Sequence, residues 1–132
     1  MITEEQKKLL NEQFRLINTD GIAFASLFYS RLFERNPELQ TMFRSKMSEQ
    51  YAKFIGMLSL IIQGMNNPIE IMPIVLEMGE SHKRYGVLPY HWYIVQEIFI
   101  GVADEKLPEH CTEETRQAWR AAFGFMSEIM EA

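Results

Sequence analysis

The sequence predicts an all-α protein of about six main helices and one short one. Apolar residues recur at three- and four-residue intervals in every long segment. No stretch alternates as a strand would, and no Asn-Gly-type turn joins β-branched runs. Segments of unequal length, broken by Pro and Asn, predict crossed helices rather than a regular four-helix bundle. The 132 residues are read as one domain, 1–132, large enough to bury a sizeable core.

In chain order, Thr3 and Gln6 form a capping-box start, followed by Leu9, Leu10, Phe14 and Ile17 at helical spacing. After Asn18-Thr19-Asp20-Gly21, Thr19 or Asp20 caps a second helix carrying Ile22, Ala25, Phe28, Tyr29, Leu32 and Phe33. Asn36 then caps, and Pro37 opens, a helix of a turn or two ending near Met42-Phe43. Ser45 or Ser48 starts a long segment that runs to about Met65 and ends at Asn66-Asn67-Pro68. Proline is unfavourable inside a helix, so Pro68 to Pro73 is expected to be irregular, with the next helix starting near Pro73. That helix places Ile71, Ile74, Val75, Met78, His82 and Tyr85 on one face and ends at Gly86, before Pro89. A fifth main helix brings Trp92, Val95, Ile98, Phe99 and Val102 inward until Leu107-Pro108. Thr112 caps the last, whose stripe includes Ala118, Trp119, Phe123 and Met126.

Composition excludes several functions. The net charge is −5 and no basic cluster offsets it, which argues against a nucleic-acid partner. The most apolar run, Ile55 to Ile62, is too short to span a bilayer, and the N-terminus does not read as a signal peptide. Cys111 is the only cysteine, so there is no disulfide framework, and a reducing cytoplasm is the expected location. There is no phosphate loop, CxxC pair, HExxH or nucleophile elbow. His82, His91 and His110 are not at zinc-ligand spacing. His82 alone stands out, as the one basic residue on an otherwise apolar helix face. Periodicity leaves two readings for it: a metal or haem ligand, or a core histidine with satisfied nitrogens.

Several further motifs, taken together, carry a resemblance that bears on the choice. Phe28-Tyr29-x-x-Leu32-Phe33, Asn36-Pro37-Glu38 followed by Phe43, Gln50 early in the long helix, His82-x-x-Tyr85-Gly86-Val87 and Ala118-Trp119 occur in this order over almost the whole chain. In this the chain resembles the globins, in particular bacterial single-domain haemoglobins and the haem domain of flavohaemoglobins. The resemblance implies a globin fold around haem b. It makes His82 the proximal iron ligand, with its other ring N–H donated to a carbonyl near Met78 or to Ser81. Phe43 is implied to pack on the porphyrin, and Tyr29 and Gln50 to be the distal groups that meet bound gas. Phe54 stands where the family usually has a smaller aliphatic residue, and so narrows the distal side. Met78, Val87, Trp92 and Val95 complete the implied cofactor wall, and Lys53, Arg44 and Arg84 are candidates to pair with the haem propionates.

Two departures from the flavohaemoglobin pattern follow. Trp92 takes the place of a tyrosine that supports the proximal histidine, and the chain stops at Ala132, before the expected glutamate. A neutral, moderately donating imidazole is therefore expected, one that holds oxygen better than it activates it. There is also no room for a flavin domain, so any turnover of ferric haem needs a separate reductase. The implied function is reversible binding of dioxygen, with CO and NO as further ligands, serving oxygen binding or transport or nitric-oxide detoxification as a dioxygenase. The alternatives are a haem-based gas or redox sensor acting through a protein partner, and a haemless globin-like interaction module.

Overall fold

The computed structural model describes residues 2–43 and 46–131. Arg44 and Ser45, read above as a propionate partner and a helix cap, lie outside the described residues. Six α-helices and two 3-10 turns follow one another, with no strand among the described residues.

The helix starts follow the capping residues closely. α1 (Glu4–Ile17) opens on a reciprocal box in which Gln6 N–H donates to Thr3 Oγ1 and Thr3 N–H to Gln6 Oε1, both at 3.0 Å. A 3-10 turn over Asn18–Asp20 leads into α2 (Gly21–Arg35), where Asp20 Oδ1 accepts from Ala23 N–H at 3.2 Å. Pro37–Met42 forms the short helix, of 3-10 type. Asn36 does not cap it with its side chain, contrary to expectation. Its Nδ2 turns back to the Leu32 carbonyl at 3.4 Å, where α2 leaves acceptors free, and only its backbone carbonyl serves Leu39 N–H. α3 (Met47–Asn66) follows, with Ser48 inside its first turn instead of at the cap, because the Lys46 carbonyl already takes the Glu49 and Gln50 amides.

α4 (Pro68–Arg84) departs most from the sequence reading, since it is helical through Pro73. Pro73 is the sixth residue of the helix, so it deletes one hydrogen bond, the one the Ile69 carbonyl would accept. Ile69 is 84% exposed, and water can meet that carbonyl. Ile71 and Val75, buried on either side of the proline, tie the turn to the core. Ile71 lies over Gly64 of α3, where a Cβ would overlap it. The inward face of α4 is also turned from the expected one. Ile74 and Tyr85 are exposed, Met78 and His82 are half-buried, and Gly79 is buried instead.

α4 ends on a Schellman arrangement: Val87 N–H reaches the His82 carbonyl at 3.0 Å and Gly86 N–H the Lys83 carbonyl at 3.0 Å. Gly86 has φ +89°, a conformation that costs little only without a Cβ. α5 (Pro89–Lys106) and α6 (Glu113–Glu131) complete the chain, and Thr112 and Thr115 cap α6 reciprocally. α2 packs on α3 and α5, and α6 on α1, α4 and α5. Phe24, Phe28, Phe54, Phe99 and Trp119 interlock at the centre with ring centroids 4.6–6.5 Å apart in the closest pairs. No described helix is long and apolar enough to cross a membrane.

Candidate functional site

The helices enclose a mostly apolar cavity of about 510 Å³, within the size range of small-molecule and cofactor sites. Tyr29 reaches it from α2, Gln50 and Phe54 from α3, Met78 and His82 from α4, and Trp92 and Val95 from α5. Phe43, Lys53 and Val87 also line it. Arg84 does not; its guanidinium donates to Ser81 Oγ at 3.0 Å. Lys53 makes no ion pair among the described residues.

On one wall, Tyr29 is 5% exposed and ringed by Phe28, Phe43, Phe54 and Tyr51 at 5.0–5.9 Å. Gln50 Nε2 donates to its Oη at 3.0 Å. The phenol oxygen therefore acts as acceptor toward Gln50, and its own proton remains free for a group in the cavity. Burial pushes the phenol up to about 12, against the smaller opposing effect of the Gln50 bond, so Tyr29 is a protonated donor at any physiological pH.

On another wall, His82 Nδ1 lies 2.6 Å from the Met78 carbonyl. A carbonyl can only accept, so Nδ1 carries the proton and the lone pair of the neutral ring is on Nε2. The Met78 carbonyl is a neutral partner, weaker at raising ring basicity than a carboxylate would be. Trp92 packs edge-to-face on the imidazole, centroids 5.0 Å apart. Among the described residues no three His, Cys, Asp or Glu side chains gather to hold a metal ion. A metal coordinated by His82 would have to bring most of its other ligands with it, as the iron of a macrocycle does. One available imidazole nitrogen, an apolar chamber and a phenol donor fit such a group.

Gly79 lies behind the cavity wall, between the cavity-lining Met78 and the α6 backbone. A Cβ there would run into the Met130 carbonyl, Cα and C, so α4 touches the α6 backbone one turn before His82. Backbone cannot yield as a flexible side chain does. Gly79→Ala is expected to destabilise the fold by roughly 1–3 kcal/mol, in the range of overpacked cores. Gly124→Ala, in α6 with nothing within 4 Å of its Cβ, should stabilise by about 0.5–1 kcal/mol. Urea unfolding of the two variants checks the opposite signs.

Fold and cavity together define a class: an all-α protein whose crossed helices enclose a chamber of prosthetic-group size. Within that class the chain belongs to the globin family, whose model, described as Globin, matches residues 26–130. It is 26% identical to a flavohemoprotein of Chromobacterium violaceum over 98% of this chain and 33% of that protein. A flavohemoprotein of Vibrio cholerae is 24% identical over 98% and 34%. The chain thus spans about a third of the length of these curated relatives. Among solved structures, an engineered carbene transferase, a candidate nitric oxide dioxygenase from Rhodothermus marinus, superposes with a TM-score of 0.85 at 24% identity, covering 98% of this chain and 91% of that one. A bacterial globin from Campylobacter jejuni gives 0.80 at 23%, covering 98% and 96%. These two show the shared fold.

Proposed function

We propose that the chain holds haem b in this cavity and reversibly binds dioxygen, with CO and NO as further ligands. The observation that carries the reading is the shared cavity: an imidazole with a free Nε2 lone pair and a buried phenol with an uncommitted proton both line it. Haem b supplies, when bound, an iron centre with a coordination position for a diatomic gas. His82 Nε2 would be the protein's ligand to that iron, and the Met78 carbonyl fixes the ring's tautomer and orientation. Tyr29 offers its proton to the polar end of the ligand, and Gln50 holds the phenol oxygen in place. Phe54, tilted against Phe28 with ring centroids 4.6 Å apart, limits the room beside Tyr29 and favours small ligands. Phe43, Met78, Val87, Trp92 and Val95 would exclude water from the cofactor faces, and Lys53, which lines the same cavity, would pair with a propionate.

Nitric-oxide detoxification belongs to the same reading. The flavohemoprotein relatives favour it, as does the structural likeness to a candidate nitric oxide dioxygenase. Conversion of nitric oxide and dioxygen to nitrate takes one electron per turnover, so a reductase partner is part of the proposal, and the cytoplasm is its expected setting. Titration of the purified chain with haemin tests the basis of all this. An intense Soret band saturating at one haem per chain is the expected result, with nitrate formed when the ferrous, oxygenated protein meets NO. No spectral response to haemin would overturn the haem reading; a Soret band without nitrate would leave oxygen binding and remove dioxygenation.

A further inference from the structure

We propose that the first turn of α5 is a carboxylate-binding subsite of the cavity, with the His91 Nε2–H as its fixed donor. His91 is 5% exposed and forms part of the cavity wall. Its Nδ1 lies 2.8 Å from Leu88 N, and a backbone N–H can only donate, so Nδ1 is the acceptor. A neutral ring must then carry its proton on Nε2. Turning the ring over would leave the Leu88 amide unpaired. Nε2 has no hydrogen-bond partner among the described residues, and Glu131, an acid that lines the same cavity, makes none with it. No buried side-chain nitrogen or oxygen is left unpaired, so Nε2 keeps access to open space.

Most of the ring is buried, but this N–H opens onto the cavity, where an acceptor brought by a ligand can reach it. Its setting selects an anion. The helix dipole adds positive potential at the start of α5, although Pro89 carries no amide proton and the His91 N–H is already taken by the Leu88 carbonyl at 3.0 Å. Lys53 contributes a cationic group to the same cavity. A carboxylate accepting from His91 Nε2–H would pair this fixed donor and meet favourable potential at once. On the haem reading, on which this inference rests for its natural ligand, the acid is a propionate of the cofactor. A free aliphatic acid has the same chemistry.

The variants are chosen around the cap. At the third helical position Gln and Glu can both accept from Leu88 N–H, as in a capping box, so α5 keeps its start. His91→Gln retains a donor; His91→Glu removes it and adds a negative charge. Each is titrated with haemin, with haemin dimethyl ester and, haem-free, with octanoate, following absorbance or intrinsic fluorescence, and circular dichroism confirms the helices. A charge-assisted hydrogen bond predicts that His91→Glu weakens haemin about tenfold or more and the diester little, while His91→Gln recovers most of the loss. The same pattern with octanoate but not with haemin would support the subsite and assign it to a free acid. Equal losses for haemin and its diester, with octanoate unaffected, would overturn the proposal while leaving haem binding in place. Failure of haemin to bind any form would remove the haem reading, and octanoate would then decide the subsite alone.

Discussion

His82→Ala is expected to lose tight haem binding while keeping the helical fold. The fold survives because the part of His82 that holds α4 together is its backbone. The carbonyl that receives Val87 N–H in the helix-ending motif is present in the variant, as is the Gly86 turn beyond it. The imidazole itself is half-buried at the cavity wall and packs on Trp92 alone among the aromatic rings. What the variant removes is the one ring nitrogen aimed into the cavity from α4 with its lone pair free. Loss of the outer partner of a metal-binding histidine costs roughly 10–100-fold in metal affinity, so loss of the ligand must cost more. Haemin titration should show affinity lowered by more than about a hundredfold. Added imidazole, small enough for the vacated volume, should restore part of the binding. A His82→Ala chain that binds haemin as the parent does would remove His82 from the metal and reopen its reading as a core histidine.

Much of this arrangement was legible in the sequence because it is local. Thr3 with Gln6, Asp20 and Thr112 each satisfy amides within three residues, so short-range pattern sufficed for their helix starts. The Met78 carbonyl beneath His82 is likewise one turn away. The resemblance that set Tyr29 and Gln50 side by side could not say which donates to which; the structure orients the amide onto the phenol oxygen. Features set by contacts between distant segments stayed hidden. Pro73 looks like a helix breaker until its position near the start of α4 and the anchorage of Ile71 over Gly64 are known. The α4 face turned because Gly79 lets that helix down onto Met130, an approach that no apolar periodicity encodes. Periodicity counts Ile74 and Tyr85 as inward for the same reason. His91 escaped notice because its role is split between a cap for α5 and a donor for the cavity. Only the 2.8 Å contact with Leu88 N reveals which nitrogen is which.

Tyr29→Phe is expected to accelerate oxygen dissociation by roughly ten- to a hundredfold, the equivalent of one hydrogen bond to a group that gathers negative charge, about 1.5–3 kcal/mol. The ring stays, and with it the edge contacts to Phe28, Phe43 and Phe54, so cavity shape is conserved and the change isolates the hydroxyl. Carbon monoxide accumulates less charge and should leave at a rate changed far less, which separates a lost donor from a changed packing. Gln50 complicates the single variant, because its freed Nε2–H can swing toward the ligand and recover part of the effect. Tyr29→Phe combined with Gln50→Val should therefore release oxygen faster still, whereas Gln50→Val alone leaves the phenol in place and costs less. The pH dependence follows from the phenol at about 12. The folded-state value is raised above the usual ~10 of an exposed tyrosine, so the donor is intact below about pH 10 and is lost only as pH climbs through ~12. Oxygen release in the parent should be flat from about pH 6 to 10, and the folded state should lose stability between about pH 10 and 12, as the unfolded phenol ionises first. Stopped-flow displacement of oxygen by CO across that range measures the rate. Oxygen and CO rates altered to the same extent, or an oxygen rate unchanged in the double variant, would take Tyr29 out of the ligand's first contacts and leave its proton to a role in the apolar core alone.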